Sequence, residues 1–376
     1  MFFQPHPGKC TLGLGLVNTF QNSQRTFLKV RWGCIGVFYM LNYQYFMKII
    51  LANPRGFCAG VDRAVDIVEL ALLVYGQPIY VKHQIVHNNF VVSELEKKGA
   101  IFVENVEEIP EGSRVVFSAH GSKKSDYEKA HQRKLQIIDA TCPLVTKVHL
   151  EAIRYHREGY FIVLIGHKGH VEPIGTMSEV PEDSMVLVEK PEEAEWLQVP
   201  DSNKVAFLTQ TTLSIDDTKE IIEAIKKKFS EVAMPAIKDI CYATTNRQRA
   251  VKELAKQTDL VLVVGSKASS NSNRLVEVAH QAGCLAYLVD SYNDVNQVWL
   301  ENVQTVGITS GASAPEVLVQ ELVSFLKAKG AISVKTLEVS KENVFFGLPN
   351  DLIEHAGKHE AARTILDKHH IKQRRG

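Results

Sequence analysis

The sequence predicts an α/β fold of three like modules, and three observations carry that expectation. Short runs of β-branched and aliphatic residues alternate along the chain with amphipathic stretches of helical period, which is the pattern of parallel α/β units. One arrangement, a cysteine followed by a helical run and then a strand, occurs three times. Polar signatures recur in phase with those cysteines, each after a strand and before a further helical stretch. Ligands of parallel sheets bind beyond the carboxyl ends of the strands, so the modules are expected to face one shared central site.

Taken in order, residues 1–46 carry no Asp or Glu and only Lys9, Arg25, Lys29 and Arg31 as cations. The apolar stretch Cys34–Leu41 is too short to cross a bilayer. The charge suits a transit peptide, but the single serine, Ser23, and only two arginines do not. Met47-Lys48-Ile49-Ile50-Leu51-Ala52 opens directly as a buried strand, so the folded chain is expected to begin there, with 1–46 outside the core and unstructured.

The first module, 47–141, contains Gly56-Phe57-Cys58-Ala59-Gly60, a helical run from Val61 to Val74 and the strand Ile79-Tyr80-Val81. Val86-His87-Asn88 follows, and a later strand ends in Ser118-Ala119-His120-Gly121. The second, 142–240, has Cys142-Pro143, a helical run to Arg157 and the strand Phe161-Ile162-Val163-Leu164. Its polar segments are His167-Lys168-Gly169-His170-Val171-Glu172 and Thr209-Gln210-Thr211-Thr212. The third, 241–340, has Cys241-Tyr242, a helical run to Gln257 and the strand Leu260-Val261-Leu262-Val263-Val264. Ser269-Ser270-Asn271-Ser272-Asn273 and Ser310-Gly311-Ala312-Ser313 stand at the corresponding places. The remaining residues, 341–376, form a C-terminal tail whose basic end, 355–376, is expected to be solvated.

Composition narrows the partners. With 45% hydrophobic and 23% charged residues the chain is globular, and 43 Lys+Arg against 43 Asp+Glu leave no long-range field to draw in nucleic acid or an anionic membrane. An anionic ligand must therefore be held by local geometry. Six cysteines without a CxxC pair do not make a disulfide framework, and a reducing cytoplasm fits them.

Cys58, Cys142 and Cys241 each precede a predicted helix, where the helix dipole favours thiolate, and Pro143 suits a first helical position. Cys10 and Cys284 have no counterparts in the other modules and read as buried or inert thiols. Three equivalent thiolates suit zinc with a fourth ligand, or a three-Cys iron–sulfur cubane with one iron open to a bound ligand. No GxxxxGK[ST] loop is present, but Ser269-Ser270-Asn271 opens a helix whose free N–H groups make an anion site, or simply caps it. His87, His120, His170, Thr211, Thr212 and Ser313 fall in phase as ligand-contacting groups. Glu172 is the one acid among these signatures, and beside an anion its proton should be retained, as suits a proton donor; a first-turn helix acid is the plainer alternative.

With these motifs the chain resembles the LytB/IspH family of 4-hydroxy-3-methylbut-2-enyl diphosphate reductases, from about Met47 to Leu352. Gly-Phe-Cys-Ala-Gly at 56–60, Ile-Val-His-Asn at 85–88, Ser-Ala-His-Gly at 118–121 and Ala-Thr-Cys-Pro at 140–143 look like family motifs. So do Gln-Thr-Thr at 210–212, Cys-Tyr-Ala-Thr-Thr-Asn-Arg-Gln at 241–248, Ser-Ser-Asn-Ser-Asn-Arg at 269–274 and Gly-Ala-Ser-Ala-Pro at 311–315. The resemblance implies a trefoil of three pseudo-symmetric α/β domains around a central iron–sulfur site, one 4Fe-4S cluster held by Cys58, Cys142 and Cys241, with the substrate's allylic oxygen on the open iron. His87, His120, Thr212, Ser269, Ser270, Asn271 and Ser313 would bind the diphosphate substrate. Thr211 would assist its hydroxyl end, and His170 with Glu172 would handle protons. Electrons from a ferredoxin or flavodoxin, with protons, would remove water to give isopentenyl and dimethylallyl diphosphates, the last step of the methylerythritol phosphate route to isoprenoids. Val171 and Ser178 depart from the common Pro and Gly of the family, and neither removes a ligand. The leader differs from plastid extensions, so a bacterial cytoplasmic enzyme is expected. A non-redox hydro-lyase and a zinc-stabilised binding module are the rival classes.

Overall fold

Apolar runs with no polar face can be accommodated only where both sides are covered, and all residues of the strands Val205–Thr209 and Leu260–Val264 are buried. The computed structural model describes residues 26–32, 35–41 and 47–373. Residues 1–46 form a unit of their own. Within it Thr26–Trp32 pairs antiparallel with Ile35–Leu41, so this stretch has regular structure where none was expected. The two segments are rich in β-branched and aromatic residues, and antiparallel pairing of near neighbours requires little loop closure. The rest of the expectation for 1–46 lies outside the described residues.

Three parallel sheets share one strand order. The first runs Ala100–Val103, Ile79–Lys82, Arg114–Phe117, Gln136–Asp139. The second runs Met185–Val188, Phe161–Ile165, Val205–Thr209, Val232–Ala233. In the third, Leu285–Val289, Leu260–Val264, Thr305–Ser310 and Met47–Asn53 are followed at the edge by Ala331–Glu338. In every sheet the chain order reverses between the two central strands, which opens a crevice beyond their carboxyl ends. The strand beside that pair leads each time into a cysteine: Asp139 to Cys142, Ala233 to Cys241 and Asn53 to Cys58. The arrangement is consistent with the expected trefoil of α/β lobes.

Two expectations are corrected here. Met47–Asn53, grouped with the first module from its position, pairs instead with Thr305–Ser310 and Ala331–Glu338 in the third sheet. Its apolar pattern specifies a buried parallel strand but carries no information about which distant strand it joins. The basic tail is not a solvated extension. The helices Asn350–Ala356 and Arg363–Gln373 bring Leu352, Ala356 and Leu366 into the core formed around the helix Ala59–Tyr75. Lys368 Nζ lies 2.6 Å from Asp62 and 2.7 Å from Asp66, and His369 Nε2 lies 2.7 Å from Asp66. The basic residues thus answer acids on the helix that Cys58 begins. Leu366→Ala is expected to cost about 2 kcal/mol, read as a lower denaturation midpoint; an unchanged midpoint would show that this docking adds nothing to the folded state.

Candidate active site

Each of the three cysteines is the N-cap of a helix: Cys58 for Ala59–Tyr75, Cys142 for Pro143–Arg157 and Cys241 for Tyr242–Ala255. The same backbone bond fixes all three. The N–H of Cys58 donates to Ala312 O at 3.2 Å, that of Cys142 to Ala119 O at 3.0 Å and that of Cys241 to Thr211 O at 3.0 Å. Every acceptor belongs to the polar turn after the third strand of a sheet, so the sequence phase between cysteines and polar signatures has a direct structural cause.

The thiols face one another across a small space. A Cβ added at Gly60 would meet Cys142 Sγ at 2.7 Å and lie 3.9 Å from Cys58 Sγ, so a side chain here would fill the space between two of them. Burial first, and then charge on Cys58, push the Cys142 thiol up to about 12 and the Cys241 thiol up to about 11. The expectation that helix N-termini would favour thiolate is therefore overturned for these two in the bare site. Desolvation and mutual repulsion outweigh the helix dipole, and a cationic centre would reverse both.

All the candidate residues named above from sequence line one cavity of roughly 100 Å³ with these thiols. His87 and His120 follow the central strands of the first sheet and stack at 3.9 Å between ring centroids. His170 approaches His87 edge-on at 5.3 Å. Burial lowers all three, followed by charge on neighbouring imidazoles, His87 to about 3 and His170 to about 4. They are neutral hydrogen-bonding groups in the bare site. His170 also caps the helix Val171–Met177, its Nδ1 accepting from Glu172 N at 3.2 Å, which leaves the ring proton on Nε2.

The third sheet contributes hydroxyl and amide groups. Ser269 caps the helix Ser270–Gln281 by accepting from Ser272 N, and Ser313 Oγ donates to His87 O at 3.1 Å. The Asn271 side chain is buried, and neither its Nδ2 nor its Oδ1 has a partner, an arrangement that calls for a polar ligand. From the second sheet, Thr212 Oγ1 donates to Ser270 Oγ at 3.1 Å, joining the two lobes at the cavity. Glu172 is buried, and Thr211 N donates to its Oε1 at 2.7 Å. Burial pushes the carboxyl up to about 7 despite that bond, so near neutrality it can retain a proton.

Several residues of the site have no role that the sequence assigns. Arg247, fully buried, donates from Nη2 to Gly56 O at 2.7 Å and from Nη1 to Glu342 Oε1 at 3.0 Å, clamping the turn before Cys58. Tyr242 OH accepts from Ala59 N at 3.0 Å. Gln248 Nε2 donates to Leu213 O at 2.7 Å, holding the turn that carries Thr211 and Thr212. These roles follow from one helix passing between two lobes; the sequence marks the stretch as the family-like motif at 241–248 but does not name what each side chain holds. His83 joins the histidine group with its Nε2 3.3 Å from His87 Nε2, and Phe346 of the C-terminal segment also lines the cavity.

Residues 49–327 match the model of the LytB protein family. The 4-hydroxy-3-methylbut-2-enyl diphosphate reductase of Actinobacillus succinogenes is 55% identical over 308 residues, covering 81% of this chain and 98% of that protein. The protein of the same name from Cronobacter sakazakii is 53% identical over 308 residues, with the same coverage of 81% and 98%. Among solved structures, the E-1-hydroxy-2-methyl-but-2-enyl-4-diphosphate reductase from Plasmodium falciparum superposes with a TM-score of 0.80 at 41% identity, covering 83% of this chain and 98% of that one.

Proposed function

Since the chain belongs to the LytB protein family, we propose that it is an oxidoreductase that converts 4-hydroxy-3-methylbut-2-enyl diphosphate into isopentenyl and dimethylallyl diphosphates, the closing step of the methylerythritol phosphate route. The observation that carries this reading is the meeting of three helix-capping thiols with a neutral histidine group, a buried unpartnered amide and a protonatable carboxyl in one cavity. Cys58, Cys142 and Cys241 would hold a 4Fe-4S cluster. The donor set fits it: soft sulfur ligands, the bare Gly60 between two of them, and thiols whose charges repel until a cationic centre joins them. Such a cluster supplies electrons and a Lewis-acidic iron when bound.

The chain's own groups account for the rest. The free N–H groups at the start of Ser270–Gln281, with the Asn271 amide, Ser269, Ser270, Ser313 and Thr212, suit the phosphate oxygens; His87 and His120 add ring donors. Glu172 Oε1 is occupied by Thr211 N–H, so Oε2 holds the transferable proton and delivers it to the departing hydroxyl, with the Thr211 hydroxyl beside it. His170 orients Glu172 through the bond to its N–H. Balance requires two electrons and two protons for each water released; a ferredoxin or flavodoxin would supply the electrons. No helix among the described residues is long and apolar enough to cross a membrane. The relatives from Actinobacillus succinogenes and Cronobacter sakazakii are in keeping with a bacterial source, and a cytoplasmic setting is part of the proposal.

The test is anaerobic purification, assay of iron and sulfide, and product analysis with a chemical reductant. Turnover without any reductant would favour a hydro-lyase. Gly60→Ala is expected to lower bound iron and to reduce turnover by about tenfold or more, because its Cβ would displace a cluster ligand. Full iron content and activity in that variant would mean that the thiols are not drawn together around a shared group.

A further inference from the structure

His83 has no part in the assignment above, yet it is held with unusual care. It follows the central strand Ile79–Lys82 with φ 61°, the left-handed region that residues bearing a Cβ seldom occupy, and its N–H donates to Val103 O at 2.8 Å. The ring bridges two groups. Its Nδ1 is 2.9 Å from Glu104 Oε2, and its Nε2 is 3.3 Å from His87 Nε2.

The protons along this line are determined by what each group can do. An ionised carboxylate only accepts, so His83 carries its proton on Nδ1 and presents a lone pair at Nε2. His87 must then donate its Nε2–H to His83, which leaves its own Nδ1 bare. A phosphate oxygen is also an acceptor, so a neutral His87 in this tautomer has no Nδ1–H to offer it. We infer that Glu104 and His83 are positioning residues that let His87 take up a proton from solvent as a diphosphate binds, giving it donors at both ring nitrogens. Atoms balance simply: one N–H bond forms on His87 Nδ1, and the medium loses the proton.

The surroundings of His87 explain why such a device is required. His120 stacks on it at 3.9 Å, His170 stands at 5.3 Å and His83 at 5.6 Å, all imidazoles that offer no negative charge. Glu104, on the exposed rim, supplies the charge that compensates a cationic His87 from behind, while the anion does so from the front. Burial first, and then charge on His170 and on His83 when those rings are cationic, push His87 down to about 3, whereas a neutral His83 turned by Glu104 offers it a lone pair, so its second proton has to arrive with the anion.

The inference rests on the diphosphate reading of the site, and the experiment separates the two. Inorganic diphosphate is titrated calorimetrically into anaerobic, cluster-loaded protein in buffers of different ionisation enthalpy, which yields affinity and net proton uptake together. The parent should take up protons beyond those the diphosphate itself exchanges. Glu104→Gln retains an acceptor for His83 Nδ1 but removes the charge; His83→Asn keeps a residue that tolerates the left-handed backbone but removes the ring. Both should bind about tenfold more weakly or worse, lose the added uptake, and raise KM for the substrate while kcat stays close to the parent's. Parent-like affinity and uptake in both variants would overturn the inference. Weaker binding with unchanged uptake would overturn it too, since lost packing alone produces that. No binding by the parent would overturn the functional reading itself.

Discussion

Serine in place of Cys58, Cys142 or Cys241, one at a time, is expected to strip bound iron and sulfide and to abolish turnover, whereas Cys284→Ser leaves both as in the parent. The three thiols cap three helices and share one cavity, so each is a third of the soft-ligand set. Serine preserves size and capping capacity but offers a harder oxygen that stays protonated near neutrality. Cys284 sits in a different core, its Sγ donating to Thr258 O at 3.3 Å. Iron and sulfide assays under anaerobic conditions, with circular dichroism as a check of folding, decide the matter. Equal iron loss in all four variants would mean that the repeat phase had selected the wrong thiols.

Glu172→Gln is expected to lower turnover by roughly 10²- to 10⁴-fold while substrate binding persists. Glutamine retains an Oε1 that accepts from Thr211 N and fills the same buried volume, so what disappears is the proton on the other oxygen. His87→Ala should differ, with weaker binding of the diphosphate alongside any loss of rate. The raised carboxyl adds a pH signature. Its protonated fraction falls as pH rises through about 7, so the rate supported by this acid declines on the alkaline side. Stability follows the same sign. The folded chain binds this proton more tightly than the unfolded one, whose carboxyl has the ordinary value of 4.5, so stability falls as pH rises from 4.5 towards about 7, and Glu172→Gln removes that slope. Near-parental turnover in Glu172→Gln, measured by anaerobic steady-state reduction, would leave the residue as a helix-start acid alone.

The cavity was legible in the sequence to the extent that it is local. His120, Thr211 and Ser313 follow Arg114–Phe117, Val205–Thr209 and Thr305–Ser310, and His87, His170 and Ser269 follow Ile79–Lys82, Phe161–Ile165 and Leu260–Val264, because strand ends and helix starts are written in short stretches of chain. The phase that grouped them reflects one repeated bond, a cysteine N–H to the turn after the neighbouring strand. The roles of Arg247, Gln248 and His83 are not legible for the opposite reason, although Arg247 and Gln248 stand in the family-like stretch 241–248. Arg247 acts on Gly56 and Glu342, Gln248 on Leu213, and His83 on Glu104 and His87, and a residue's local pattern does not name a partner that only folding brings near.

What the sequence by itself determined is the α/β alternation, the three cysteine-led repeats and the kinds of group that end each strand, because periodicity, helix capping and strand composition act over a few residues. The tertiary structure alone decided that Met47–Asn53 joins the third sheet, that the basic tail docks on Asp62 and Asp66, and that the thiols of Cys142 and Cys241 are pushed up. Strand pairing and ion pairing of distant segments depend on loop closure and competition among many similar partners, and a thiol's acidity depends on how much water its neighbours remove. Neither quantity exists until the lobes have come together.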